Sequence, residues 1–180
     1  MRYFIGFLIK GEAKDFHCKL IQEIFERFTV EPLINKLDPH ITLKAPFEAT
    51  EEQASKVVQI VEGFCSTVQP IGLKLSNFGR FDTNVVFVDV EENAWLQLVF
   101  RNLNERLGKE KWLTFEKFDF AKRFHSTIVS GNFEEERFSQ IWDFVSTKSV
   151  SIEMVFDGIA IFRKMNGKWE IFKEFKFSYS

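Results

Sequence analysis

Cysteine is scarce in this chain. Cys18 and Cys65 are the only two in 180 residues, and they form no CxxC pair. A disulfide scaffold and a cysteine-ligated metal site are therefore excluded, and the pair reads as inert thiols within helical stretches. Glycine (9) and proline (4) are also few, which leaves short connections and no flexible linker. Neither sign of charge dominates: 24 Lys+Arg stand against 26 Asp+Glu, a formal net charge of −2. That excludes a protein that coats duplexes through a globally cationic surface. No apolar run approaches the roughly 20 residues that span a bilayer. The apolar start, Met1 to Ile9, is too short for a secretory signal and gives way at once to charge. The expectation is a protein of the reducing cytoplasm with no membrane partner.

What the chain does have is phenylalanine, 23 residues of it, within a 45% hydrophobic composition. That is ample apolar surface for a folded core, with a few rings available to stack on a ligand base. The length suits one domain over residues 1–180, built of two lobes.

Periodicity divides the chain into strands and helices. Arg2 to Ile9 reads as a buried strand. Phe16, Leu20, Ile24 and Phe28, four apart, make an amphipathic helix of Gly11 to Phe28, on whose polar side His17 is expected to face solvent. His40 to Phe47 reads as a strand ending at Pro46, and Thr50-Glu51-Glu52-Gln53 is a capping-box pattern opening a second helix. Ile71 to Asn77 and Val85 to Val90 read as antiparallel strands about a turn over Gly79 to Asn84. Ala94 to Leu107 reads as a helix stopped by Gly108. Phe124 to Gly131 is a strand, Glu134 to Val145 a helix and Val150 to Arg163 a strand. Asn166-Gly167 is a hairpin signal leading into Trp169 to Phe177. The class is α+β.

Within this order one unit recurs. Pro39-His40-Ile41-Thr42-Leu43-Lys44-Ala45-Pro46-Phe47-Glu48 and Phe124-His125-Ser126-Thr127-Ile128-Val129-Ser130-Gly131-Asn132-Phe133-Glu134 share His, any residue, Thr, aliphatic, then a turn former, Phe, Glu and a helix. The histidines lie 85 positions apart, nearly half the chain. A duplicated strand–helix unit about a pseudo-twofold axis accounts for that. With Thr at 8 of 180 positions, two of three histidines carry Thr at +2 by chance with a probability of about 0.006.

On a strand, residues i and i+2 project to one face, so each His points with its Thr. Two such strands side by side place two His and two Thr in one cleft. Displacement at a phosphodiester needs a base on the attacking oxygen and an acid on the leaving oxygen, on opposite sides of phosphorus. Two imidazoles near neutrality can hold those opposite protonation states, and Thr hydroxyls can donate to the non-bridging oxygens. The competing reading makes each His a satisfied core residue and each Thr an ordinary β-branched strand residue. The matched flanks favour the site.

At these residues the chain resembles the 2H phosphoesterase superfamily, also called LigT-like or the 2′-5′ RNA ligase/cyclic phosphodiesterase family. Its hallmark is two His-x-Thr/Ser motifs, each followed by a hydrophobic residue. Small bacterial phosphoesterase-like members have a first motif much like His40-Ile41-Thr42-Leu43-Lys44, and the resemblance covers nearly the full length. It implies a bilobal duplicated α+β fold, with two mostly antiparallel sheets and flanking helices around a central cleft. It also implies action on 2′,3′-cyclic phosphates or 2′-5′ linkages at RNA or nucleotide ends. The His and Thr chemistry requires no cofactor or metal, and a monomer is expected, with the oligomeric state open. By that analogy His40 is the acid on the departing ribose oxygen, His125 the base that activates water, and Thr42 and Thr127 the phosphate holders; the acid and base labels are exchangeable. Three residues depart from the pattern. Phe124 stands where the second motif often has Pro. Ser126 takes an inward position that is usually apolar, so a buried partner is expected for it. Val129-Ser130-Gly131 lacks the Arg frequent in tRNA-ligase-type members, which favours hydrolysis over ligation.

Further candidates surround the motifs. Lys44, expected to share a strand face with Thr42, and Arg80, in a Gly79-bearing turn, are candidate substrate-binding cations. Phe47 and Phe124 are candidate base-stacking rings at the rim, although a core role is favoured for both. Arg101, Arg106, Lys109, Lys111, Lys117, Lys122 and Arg123, with Glu105, Glu110, Glu116 and Asp119 among them, read as a solvated mixed-charge face rather than an RNA guide. Trp95, Trp112, Trp142 and Trp169 read as packing. HExxH, Cys/His metal spacing, a P-loop, GxGxxG after a strand and GxSxG are all absent. The leading expectation is a metal-independent phosphoesterase for an RNA-end or nucleotide cyclic phosphate. The alternatives are 2′-5′ RNA ligation and a non-catalytic module that binds RNA ends or nucleotides.

Overall fold

The computed structural model describes residues 1–119 and 123–178; Lys122 of the mixed-charge stretch lies outside the described residues. Among the described residues, eight strands and four α-helices follow in the order β1 (Arg2–Leu8), α1 (Gly11–Phe28), β2 (His40–Glu48), α2 (Glu51–Cys65), β3 (Ile71–Phe81), β4 (Val85–Val90), α3 (Ala94–Leu107), β5 (His125–Ser130), α4 (Glu135–Ser146), β6 (Ser151–Phe156), β7 (Gly158–Met165) and β8 (Lys168–Lys176). Short 3-10 turns cover Leu33–Asn35 and Lys117–Asp119. The strands form two four-stranded antiparallel sheets of order β2-β1-β7-β8 and β5-β4-β3-β6. One order maps onto the other, so the duplication inferred from the His-x-Thr repeat is the architecture itself. The class is α+β and bilobal, as expected.

Local chemistry explains most boundaries. The capping box at α2 is complete: Gln53 N–H donates to Thr50 Oγ1 at 3.2 Å, and Thr50 N–H donates to Gln53 Oε1 at 2.9 Å. Asn166 (φ 50°) and Gly167 (φ 81°) form the β7–β8 turn in the left-handed conformation that those residue types permit. Strand β2 continues past Pro46 to Glu48 because it is an edge strand, and because Pro46 falls at a register irregularity where no ladder N–H is needed.

Three expectations are corrected. The run from Val150 to Arg163 is two strands in different sheets, with β6 against β3, β7 against β1, and Asp157 between them. Gly158 allows the crossing, since a Cβ there would lie 2.3 Å from the Phe175 carbonyl oxygen. The β3–β4 turn is shorter than expected, because β3 extends to Phe81 and places Gly79 and Arg80 inside the ladder.

His17 does not face water but is fully buried. The buried stripe of α1 is Ala13, His17, Leu20, Ile21 and Ile24, turned toward positions three and four apart from His17. Phe16 and Phe28 are only partly buried at its margin. Nδ1 of His17 lies 2.8 Å from the Ala13 carbonyl, an acceptor, so Nδ1 carries the proton. Nε2 is buried without a partner, and burial pushes the imidazole pKa below its ordinary value.

Helices cover the outer faces of the sheets. α1 packs against β5 and β6, α4 against β3, and α2 against β7, β8 and α3. Both thiols are free, Cys65 is buried, and burial pushes its pKa up to about 12, as expected of inert cysteines. No described helix is long and apolar enough to cross a membrane.

Candidate active site

The two His-x-Thr strands occupy corresponding edges of the two sheets. β2 and β5 lie against each other without joining into one sheet. On β2, His40 and Thr42 are half-buried between the core residues Ile41 and Leu43; on β5, His125 and Thr127 are half-buried beside the core residues Ser126 and Ile128. The period-2 argument thus holds at both motifs. His40 and Thr127, one from each lobe, line the same cavity of about 240 Å³, together with Asp38, Pro39 and Ser130. A larger cavity, of about 1000 Å³, runs along α3 between Ala94 and Lys109 and is lined by neither motif.

Local geometry repeats as closely as sequence does. His40 Nδ1 lies 2.9 Å from the Asp38 carbonyl and His125 Nδ1 lies 2.7 Å from the Arg123 carbonyl, in each case two residues back. A carbonyl only accepts, so both rings hold their proton at Nδ1, and Nε2 is the nitrogen that gains or loses one. Thr42 stands opposite Gly6, whereas the next partner of that ladder, Ile5, stands opposite Lys44. Thr127 stands opposite Phe87, and the next partner, Val86, stands opposite Val129. Each Thr is thus followed by a β-bulge, one extra residue that sends two consecutive side chains to the same side. Leu43 and Lys44 both turn into the core, as do Ile128 and Val129, and all four are buried.

Phenylalanine frames both imidazoles. The His40 ring lies 4.9 Å from Phe4 and 5.7 Å from Phe162, which stack on each other at 4.2 Å and 3°. The His125 ring lies 4.8 Å from Phe87 and 5.0 Å from Phe81, which are 4.5 Å apart. Phe162 and Phe81 are equivalent positions of the duplication: Phe162 stands two residues beyond Ala160, the partner of Gly6, and Phe81 two beyond Gly79, the partner of Phe87. The two small residues beneath these rings are required by close approach. A Cβ on Gly6 would lie 2.9 Å from the Ile41 carbonyl oxygen and 3.5 Å from the His40 ring, and one on Gly79 would lie 2.4 Å from the Phe87 ring. Sequence reasoning missed these four Phe residues because 23 of them conceal any four; the available signal was a lone Gly inside each of two apolar strands. Beside His125, Arg123 pairs with Asp89, Nε to Oδ1 at 2.9 Å, and lies 5.1 Å from the Phe87 ring centre.

The remaining candidates fall elsewhere. The bulge puts Lys44 on the face opposite Thr42, fully buried and ion-paired to Asp119 at 2.8 Å. Arg80 stands opposite the core residue Val86, on the sheet face away from Phe87 and Thr127, with its guanidinium 5.5 Å from the Trp142 ring centre on α4. Phe47 is 3% exposed and packs on Tyr3, while Phe124 is 5% exposed and meets Phe100 edge-on at 5.3 Å, so neither presents a face to a ligand. Ser126 is inward, but its Oγ has no partner, against the expectation of one. Trp95 is not packed; it is 67% exposed. Among the described residues, no group of three or more His, Cys, Asp or Glu is placed to hold a metal ion.

Comparison with known proteins places these observations. The family model described as 2′-5′ RNA ligase superfamily matches residues 14–168. A Bacillus pumilus protein named "Putative phosphoesterase" is 26% identical over 165 residues, covering 89% of this chain and 92% of its own. Among solved structures, TT0787 of Thermus thermophilus superposes with a TM-score of 0.70 at 17% identity, covering 98% of each chain. Escherichia coli LigT complexed with 3′-AMP superposes with a TM-score of 0.64 at 11% identity, covering 99% of this chain and 98% of its own. At such identities these two structures establish the fold.

Proposed function

The chain belongs to the 2′-5′ RNA ligase superfamily, and from that premise we propose that it is a phosphoesterase hydrolysing a 2′,3′-cyclic phosphate at a nucleotide or RNA end. The observation that carries the reading is the repeated imidazole geometry. Both histidines hold Nδ1–H on a carbonyl two residues back, on adjoining edge strands, with His40 and Thr127 lining one cavity. One neutral Nε2 takes the proton of the attacking water. One protonated Nε2 delivers a proton to the ribose oxygen as its bond to phosphorus breaks. Thr42 and Thr127 donate to the non-bridging oxygens, and the Phe rings around each imidazole limit access of bulk water to that charge. The proton balance closes with both imidazoles exchanged in state, so solvent resets them. Side chains carry both proton transfers, one taken up and one delivered, and the reading therefore expects turnover without a metal.

The neighbour solved with 3′-AMP supports a nucleotide partner, since 3′-AMP is a ribose 3′-phosphate of the kind that ring opening leaves. The superfamily's name favours a second reading, joining of RNA ends by a 2′-5′ linkage, in which a 5′-hydroxyl takes the place of the attacking water and the same proton transfers follow. Nucleoside 2′,3′-cyclic phosphate incubated with the protein in excess chelator tests both. Ring opening, and its loss in His40→Ala and in His125→Ala with folding intact, supports the proposal. Ring opening by a 5′-hydroxyl, read as joined RNA ends in place of a free phosphate monoester, favours the ligase. Binding without either reaction overturns both.

A further inference from the structure

The two lobes are joined near the candidate site by a buried ion pair. Lys44 Nζ lies 2.8 Å from Asp119 Oδ2, and both side chains are fully buried. The other oxygen of Asp119 accepts the Ala45 N–H at 2.9 Å, just past the β2 bulge, and Oδ2 also accepts the Glu116 N–H at 2.8 Å. Asn104 of α3 donates to the Asp119 carbonyl at 3.1 Å. One end of this cluster is thus two residues past Thr42, and the other is six residues before His125 in the chain.

Stability alone is a weak reason for such a pair, since a buried hydrophobic pair of similar volume serves as well or better. The duplication supplies an internal comparison. The position equivalent to Lys44 on β5 is Val129, also buried after the same bulge. A bulged edge strand of this fold therefore needs no cation there, and the ion pair answers some other requirement.

We propose that Lys44 and Asp119 are positioning residues. They fix the spacing between the His40 strand and the chain leading into the His125 strand, so that both imidazoles meet one phosphoryl group. The inference rests on the phosphodiesterase reading above. Displacement at phosphorus is steep in alignment, and a shift of about 1 Å costs on the order of 100-fold in rate.

The test is the double variant Lys44→Met/Asp119→Leu, which replaces the pair with apolar groups of similar size. It is assayed with nucleoside 2′,3′-cyclic phosphate well below its Tm. Its imidazole NMR signals are followed as inorganic phosphate is added. In the wild type, phosphate should move the His40 and His125 signals along one shared binding curve and leave His17 unmoved. The folded double variant should lose kcat about 100-fold with KM within about threefold, and its two signals should no longer share a curve. Asp119→Glu, which keeps the charge and lengthens the arm, should lose kcat when assayed well below its own Tm. A folded double variant with kcat within about twofold of wild type and a shared curve overturns the proposal. Failure of both variants to fold makes the pair a folding element and also overturns it. Wild-type protein that opens no cyclic phosphate, or whose phosphate curve involves one histidine alone, instead overturns the phosphodiesterase reading, and this inference falls with it.

Discussion

Gly79→Ala is a one-carbon change that should reach the chemistry. Gly79 lies on β3 under the Phe87 ring, and an added Cβ would stand 2.4 Å from Cε2 and from Cζ of that ring. An ordinary carbon–carbon contact is about 3.5–4.0 Å, so the ring must retreat by about 1 Å or more. It has little room: Phe87 is fully buried, with Phe81 4.5 Å and His125 4.8 Å away between ring centres. Overpacking of this kind costs about 1–3 kcal/mol. At about 2–4 °C per kcal/mol for a chain of this size, Tm should fall by roughly 2–12 °C. The nearest rings to take up that movement are Phe81 and His125, and a displacement of about 1 Å passed to the imidazole should lower the rate of cyclic phosphate opening by on the order of 100-fold. The assay pairs a thermal melt with steady-state hydrolysis well below the melt. Wild-type Tm together with wild-type kcat would refute the close approach of Gly79, Phe87 and His125 on which the reasoning depends.

Other expectations follow from the same contacts. Gly6→Ala should impair the His40 half-site in the same way, because a Cβ would stand 2.9 Å from the Ile41 carbonyl oxygen; loss of Tm and of hydrolysis together would bear this out. Lys44→Ala or Asp119→Ala alone should cost about 3–5 kcal/mol by stranding a buried charge, read as a fall in the urea midpoint. His17 makes stability fall in acid. Burial holds its folded-state pKa below that of the unfolded chain, so the unfolded state binds the proton first. Its contribution is complete above about pH 6.5, the ordinary imidazole value, and is lost as pH falls below it. His17→Leu should flatten that part of the Tm–pH curve, and an unchanged slope would count against the assignment.

The sequence made the half-sites legible because His-x-Thr obeys a strict period of two, and two copies in one chain imply two equivalent strands. It also gave away the capping box at Thr50 and the turn at Asn166-Gly167, where the chemistry is local. What it concealed depends on partners far along the chain. The bulge after Thr42 is visible only against β1, and it turned Lys44 from an expected cleft cation into half of a buried pair. Asp119 reads in sequence as part of a solvated mixed-charge face, yet it is buried, because nothing near it in sequence shows that Lys44 awaits it. The change of sheet at Asp157 interrupts a run whose β-propensity is continuous on both sides. His17 was misplaced because the apolar stripe of α1 is wide, and its centre runs through Ala13, Ile21 and Ile24 rather than through Phe16 and Phe28.

Convergence of two imidazoles on one anion is most directly examined by a crystal structure with phosphate bound. The expected result is a single phosphate contacted by Nε2 of His40 and Nε2 of His125, with the Thr42 and Thr127 hydroxyls on its remaining oxygens. A phosphate held by one histidine alone, with the other ring beyond hydrogen-bonding reach of it, would contradict the account.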